Sequence, residues 1–134
     1  MRAILKNAEK KAKSLLKATR YRREALQQVS KNQGVYLVRH MVDGIIYVGK
    51  GSNLKRRLLG EHLSGEKSDT TSNLRRKLAR RYHLKPGPGM KKWMLENLSF
   101  SWIEVSDKDE TILVEALMIA YLRNKLKNEC ILNA

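Results

Sequence analysis

Apolar residues recur at helical spacing over the first thirty or so positions, give way to a strand-like pattern, and then alternate between the two periods to the end of the chain. In the first segment Ile4, Leu5, Ala8, Ala12, Leu15 and Leu16 fall on one helical stripe, which Leu26 and Val29 resume. No Gly or Pro interrupts it before Gly34. This pattern predicts one long amphipathic helix, or two abutting ones, over residues 1–31. Lys31-Asn32-Gln33-Gly34 breaks the period.

Val35 to Arg39 reads as a strand and Ile45 to Val48 as its return, with Gly49 and Gly51 ending it. Asp43-Gly44 between them predicts a tight hairpin of type I′, whose central residues both need positive φ. Ser52 or Asn53 can cap a helix running through Leu63. A polar loop follows from Ser64 to Ser72. Asn73 to His83 is a second helical segment, with Leu74, Leu78 and Tyr82 on one face. Pro86-Gly87-Pro88-Gly89 predicts a hard break, and Lys91 to Asn97 a short helix. Leu98, Phe100, Trp102 (or Ile103) and Val105 predict a third strand. Ser106 with Asp109 resembles a capping box opening a helix to about Lys125. A short tail, Asn128 to Ala134, ends the chain. The order of helix, two strands, helices, strand and helix predicts a small α+β fold.

Charge sharpens the picture. The chain has 134 residues, enough for one domain with a modest core, and carries 28 Lys and Arg against 13 Asp and Glu, a net +15. Such an excess attracts polyanions, nucleic acid foremost and an anionic membrane surface second. The imbalance is steepest in residues 1–31, where ten basic residues face only Glu9 and Glu24. That arm has a thin apolar stripe. It can dock on the domain, pair with another chain, or order only on DNA. Cys130 is the single cysteine, which excludes an internal disulfide or a cysteine-based zinc site and is compatible with a reducing, cytoplasmic location. No apolar run approaches the roughly 20 residues that span a bilayer, so no membrane partner is expected. No signal-peptide core is present either. An organelle-targeting segment would share the basic character of the N-terminus, but Glu9 and the many lysines argue against one.

Several residues invite chemistry. Tyr36 and Tyr47 lie on the two strands of one hairpin and can share a face. A lone strand tyrosine is ordinarily a packing residue. Gly34 and Gly49 beside them permit a closer backbone approach than a plain hairpin needs. Arg57 falls on the first turns of the helix after the hairpin, with Lys50, Lys55 and Arg56 nearby. The N-terminus of that helix is expected to offer free N–H groups and a positive dipole end to an anion. Lys55 reads as a solvated position, whereas an inward arginine would need an anionic partner. Glu115 stands within Ile112-Leu113-Val114-Glu115-Ala116-Leu117-Met118. A carboxylate so flanked needs a cation, and both a salt bridge to an arginine and a metal ion fit. Mg²⁺ is commonly held by one or two carboxylates with water and phosphate. His62 and His83 end basic helices and can contact phosphate or carry protons, although each is as readily an ordinary, partly exposed histidine. No zinc-like cluster, phosphate loop or Gly-x-Ser-x-Gly elbow is present.

Gly34-Val35-Tyr36, Tyr47-Val48-Gly49, Arg57, Glu115 and the terminal Asn133, in this order, resemble the GIY-YIG nuclease domain. The resemblance spans about Gln33 to Ala134, giving a nuclease domain at 32–134 behind a basic helical arm at 1–31. Tyr47-Val48-Gly49-Lys50 with Leu54 and Arg57 is most similar to the nuclease domain at the front of bacterial excision-repair endonucleases. The resemblance implies a three-stranded antiparallel sheet flanked by helices. It also implies one divalent metal, Mg²⁺ with Mn²⁺ able to substitute, and hydrolysis of DNA to 5′-phosphate and 3′-hydroxyl ends. By the same carry-over Glu115 binds the metal, Arg57 stabilises phosphate charge, Tyr36 is the general base, Tyr47 positions water or phosphate, and Asn133 supports the site. A free phenol has a pKa near 10, so Tyr36 would need acidifying by Lys50, Arg57 and the metal. Many members carry a histidine four residues after the arginine. Here Glu61 stands there, and His62 or Lys50 would take that role.

Residues 64–97 align only loosely with the family. Arg75, Arg76, Arg80, Arg81 and Lys91 in that region are expected to grip DNA along with Lys50, Lys55 and Arg56, and the arm to add phosphate contacts that position without reading sequence. Two other readings compete: a catalytically silent DNA- or RNA-binding module of the same fold, and a basic ribosomal or chromosome-associated structural protein. Neither explains why Tyr36, Tyr47, Arg57, Glu115 and Asn133 are all present. One active site per chain implies a dimer, or two visits, for double-strand cleavage. The sequence alone fixes neither the oligomeric state nor the DNA target.

Overall fold

The computed structural model describes residues 2–63, 73–85 and 87–126, with the side chains of 2, 23, 24, 60–63, 73, 88 and 126 outside that description. At its centre is a three-stranded antiparallel sheet of β1 (Gly34–His40), β2 (Gly44–Gly51) and β3 (Leu98–Glu104) in the order β2-β1-β3. Helices lie on both faces, so the expected α+β sandwich is the observed one. Tyr36, Val38, Tyr47 and Phe100 point to one face, where Leu54, Leu58, Leu74, Leu78, Met90 and Met94 cover them. Val35, Leu37 and Val48 point to the other and meet Ala8, Ala12 and Leu15 from α1 (Arg2–Lys17) and Val114, Met118 and Leu122 from α4 (Lys108–Leu126). Burying Leu15 alone contributes on the order of 2 kcal/mol.

The N-terminal segment is not one long helix. Helix α1 stops at Lys17, and Tyr21 then forms a two-way backbone bridge with Phe100 on the outer edge of β3. Pairing that edge satisfies backbone groups that a continued helix would leave exposed on the sheet. A 3₁₀ helix, Arg23–Gln28, follows and places Leu26 in the opposite core. The segment therefore clasps both faces of the sheet around one edge; docking is the fate the structure shows. Part of its charge is used in doing so. Lys11 pairs with Glu110 at 2.6 Å, and Arg22 Nη2 donates to the Leu95 and Glu96 carbonyls at the end of α3 (Pro88–Asn97), at 3.2 Å each.

Four local expectations differ from the structure. The hairpin turn is a three-residue connection, Met41 to Asp43, in which Gly44 alone takes positive φ (76°), so it is not type I′. His40 Nδ1 accepts the Val42 and Asp43 N–H groups at 3.2 Å each and stabilises that longer loop. One residue is inserted in β2 opposite Val38/Arg39, and this bulge lets both Ile46 and Tyr47 reach the same core. Pro88 and Gly89 open α3 instead of breaking the chain, because proline is tolerated in a first helical turn. Asp107, not Ser106, caps α4: its Oδ1 accepts the Glu110 N–H at 2.9 Å. Helix α2 (Asn73–Tyr82) ends one residue early, at His83 with φ 55°. Among the described residues no helix is long and apolar enough to cross a membrane. The loop at 64–72, Cys130 and the tail lie outside the described residues.

Candidate active site

Register brings the two tyrosines together. Tyr36 pairs with Gly49, and Val38 with Tyr47, so the phenols are diagonal neighbours on one face. Their ring centroids are 6.3 Å apart. Glycine at 49 is a packing requirement: a Cβ there would run into the Tyr36 ring and hydroxyl. Gly34 is demanded in the same way, by the Ile103 carbonyl of β3 and the Leu54 side chain. The two tripeptides thus encode a ring laid flat across a bare strand.

Arg57 enters from the helix after the hairpin. Residues 56–63 of that helix have π pitch, a widened form often found at functional sites. The half-buried Arg57 guanidinium hydrogen-bonds towards both phenols and pulls their pKa values down. Burial outweighs it. Tyr36 is fully buried, and desolvation, reinforced by Tyr47 and Glu115, pushes its pKa far above the usual 10. Burial likewise raises Tyr47, with Glu115 adding to the effect. In the chain by itself both phenols therefore keep their protons at neutral pH. Of the cations expected to acidify Tyr36, Arg57 does lower it, but by less than burial raises it.

The helix N-terminus is not open to an anion. Leu54 and Lys55 donate their N–H groups to the Asn32 and Ser30 carbonyls, at 3.0 and 2.9 Å, and Arg56 N–H goes to Asn53 Oδ1 at 3.0 Å. The preceding loop satisfies the donors that the sequence left free. Anion binding here falls to side chains.

Glu115 approaches from α4 on the other face, with buried Val114 and Met118 beside it. Its Oε1 is 3.7 Å from Lys50 Nζ, and its side chain is 22% exposed. The partner is thus Lys50, by a long contact that leaves the carboxylate able to accept more. Lys50 pairs with Val35 in the ladder, so Lys50 and Glu115 meet on the face opposite the tyrosines, at the β2 edge. The site wraps that edge. Among the described residues no group of three or more His, Cys, Asp or Glu surrounds a common point. A single carboxylate suits Mg²⁺, which keeps several waters and takes the remainder of its ligands from phosphate.

The other expected residues divide. Arg56, Arg76, Arg80 and Arg81 are exposed, and Lys55 is half-buried. Arg81 leans to within 4.0 Å of Asp43. Arg75 departs from the set: it is 1% exposed, and its Nη1 meets Met94 Sδ at 3.6 Å. Its position three before Leu78 and seven before Tyr82 puts it on the apolar stripe of α2, a signal the sequence did carry. The His62 side chain and Asn133 lie outside the described residues. Sequence reasoning also missed Gln33, whose Nε2 donates to the Val105 and Ser106 carbonyls at 3.0 Å each and ties the hairpin to the start of α4. A polar residue just before a strand gave no periodic signal.

Compared with known families, residues 32–128 match the model of the GIY-YIG catalytic domain. No curated protein matches the chain.

Proposed function

The chain belongs to the GIY-YIG family, and on that premise we propose that it is a DNA endonuclease using Mg²⁺, or Mn²⁺ in its place, to leave 5′-phosphate and 3′-hydroxyl ends. The observation that carries the reading is convergence. Tyr36, Tyr47, Arg57 and Glu115 come from four separate elements, and the ionisation of Tyr36 is coupled electrostatically to each of the other three. A packed core would have little use for two phenols, a guanidinium and a carboxylate at one edge.

In this reading Glu115 holds the metal, which when bound polarises the phosphoryl group and eases departure of the leaving oxygen. Arg57 offers charge-assisted donors to the phosphate oxygens. Tyr47 positions water or phosphate, and Tyr36 holds the attacking water and accepts its proton. Because burial holds Tyr36 well above 10, its base form is scarce at neutral pH, and its effectiveness grows with added positive charge and with pH. Lys50 keeps Glu115 in place and adds positive charge at the edge; His62 or Lys50 assists the base, and Asn133 supports the site from the tail. Lys55, Arg56, Arg76, Arg80 and Arg81 grip the DNA backbone.

The test is a labelled panel of single-stranded, duplex, flapped and branched DNA, incubated with Mg²⁺, Mn²⁺ or EDTA, alongside Glu115→Ala. Metal-dependent cutting that the variant lacks supports the proposal. Binding without cutting on every substrate would replace it with the silent binding module.

A further inference from the structure

Arg39 sits at the far end of β1 from the tyrosines, on the face covered by α1 and α4. It is 6% exposed. Its Nη1 donates to Ser101 Oγ at 2.8 Å and its Nη2 to the Leu16 carbonyl at 3.2 Å, both neutral acceptors. Among the described residues no carboxylate lies within ion-pair distance of it. Buried charges are ordinarily paired.

Arg39 lines a cavity of about 440 Å³ between the end of α1, the β1–β2 turn and the end of α4. Arg20 and Lys125 line it too, and among the described residues no Asp or Glu does. The C-terminal ends of α1 and α4 each bring about half a negative charge, which leaves three cations only partly balanced. Capping Leu16 explains why Arg39 turns inward. It does not explain why two further cations gather around the same space. Burial and the proximity of Arg20 both disfavour the charged form of Arg39, a stress that an anion would relieve. Met41 and Val42, exposed by 71% and 80%, form an apolar rim suited to a sugar more than to a bare inorganic ion.

We infer that this cavity takes a phosphate group, and that in the working protein it holds a backbone phosphate of the bound nucleic acid away from the bond being cut. The second half rests on the nuclease reading. Three residues along β1 from Tyr36 to Arg39, and ten along α4 from Glu115 to Lys125, place the cavity about 10–15 Å from the active site. That is about three or four base pairs measured along a duplex axis.

Two measurements decide it. The first is the salt dependence of duplex binding by Glu115→Gln in EDTA, with and without Arg20→Ala plus Lys125→Ala, both exposed positions. The slope of log Kd against log salt is expected to fall by about one with the cavity changes; an unchanged slope and affinity overturn the nucleic-acid role. The second follows the Arg39 Nε–H resonance by NMR as inorganic phosphate or a 5′-phosphorylated dinucleotide is added. Movement with both, at lower concentration for the dinucleotide, is expected. Movement with inorganic phosphate alone overturns the nucleic-acid part, and none with either up to millimolar levels overturns the anion site. If no DNA of the panel, single-stranded, duplex, flapped or branched, binds the protein at all, the nuclease reading falls while the phosphate titration still judges the cavity.

Discussion

The two ends of the β1–β2 hairpin use the same resource, an excess of cations, in different ways. At the Gly34/Gly51 end Lys50 and Arg57 meet a carboxylate and two buried phenols. At the His40/Gly44 end one face gathers Arg39, Arg20 and Lys125 with no acid among the described residues that line the cavity. The acid nearby, Asp43, is occupied on the other face, where Tyr82 donates to it at 2.6 Å and His40 lies at 3.7 Å. Cations alone can hold a phosphate. On the proposed function, attacking one also requires an anchor for metal and a group to manage the proton of water, and among the described residues the carboxylate and phenols proposed for those tasks sit together at the Gly34/Gly51 end.

Removing the carboxylate should break the contrast most severely. Glu115→Ala is expected to lower cleavage about a thousandfold or more while duplex binding persists, read by single-turnover assay beside a gel shift. Near-normal cutting would end the metal assignment. Tyr36→Phe should cost about a hundredfold. Its pKa is raised, so the phenolate fraction, and with it the wild-type rate, should climb close to tenfold per unit between about pH 6 and 9. The variant should lose that slope, and a retained slope would dismiss Tyr36 as base.

Packing gives a smaller, structural test. Gly49→Ala forces a methyl into the Tyr36 ring and should destabilise by about 1–3 kcal/mol in urea. Gly89→Ala, where a methyl meets nothing within 4 Å, should be neutral or mildly stabilising. Equal effects would mean that the bare strand under Tyr36 is incidental. The smallest effect lies at alkaline pH. Burial raises Tyr36 and Tyr47, and burial together with the Asp43 contact raises Tyr82. Raised folded pKa values contribute stability that is complete below about pH 10, the unfolded value, and is lost as pH climbs towards the folded ones. These three phenols should therefore ionise only with unfolding. Phenolate absorbance and circular dichroism should move together, and separate transitions would contradict their burial.

Much of the fold was legible because local signals agreed with it. Asp43-Gly44 marked the hairpin, Pro88 and Gly87 marked the edge of α3, and strand alternation put Leu98 and Phe100 on one face. What escaped depended on distant partners. Tyr21 leaves its helix to pair with Phe100, a contact no spacing within residues 1–31 could announce. Two donors just ahead of the π-pitch stretch, those of Leu54 and Lys55, are consumed by a loop more than twenty residues earlier. At the site, Glu115 was visible as a carboxylate among apolar neighbours, and Tyr36, Tyr47 and Arg57 through the glycine-flanked tripeptides and the basic helix that follows them. The height of the tyrosine pKa values was not, since desolvation is set by everything that packs over a side chain. Arg39 and His40 were hidden too: alternation tells which face a strand residue takes, not what waits there.

The clasp of the first segment around the sheet carries a practical consequence for anyone recloning the protein. A fragment begun at residue 32, where the family match starts, would shed Ala8, Ala12 and Leu15 from one core and Leu26 and Val29 from the other. It would uncover Leu37, Val48 and Met118 and free the outer backbone of β3, the makings of an insoluble product. The boundary drawn by kinship and the boundary drawn by burial differ by some thirty residues.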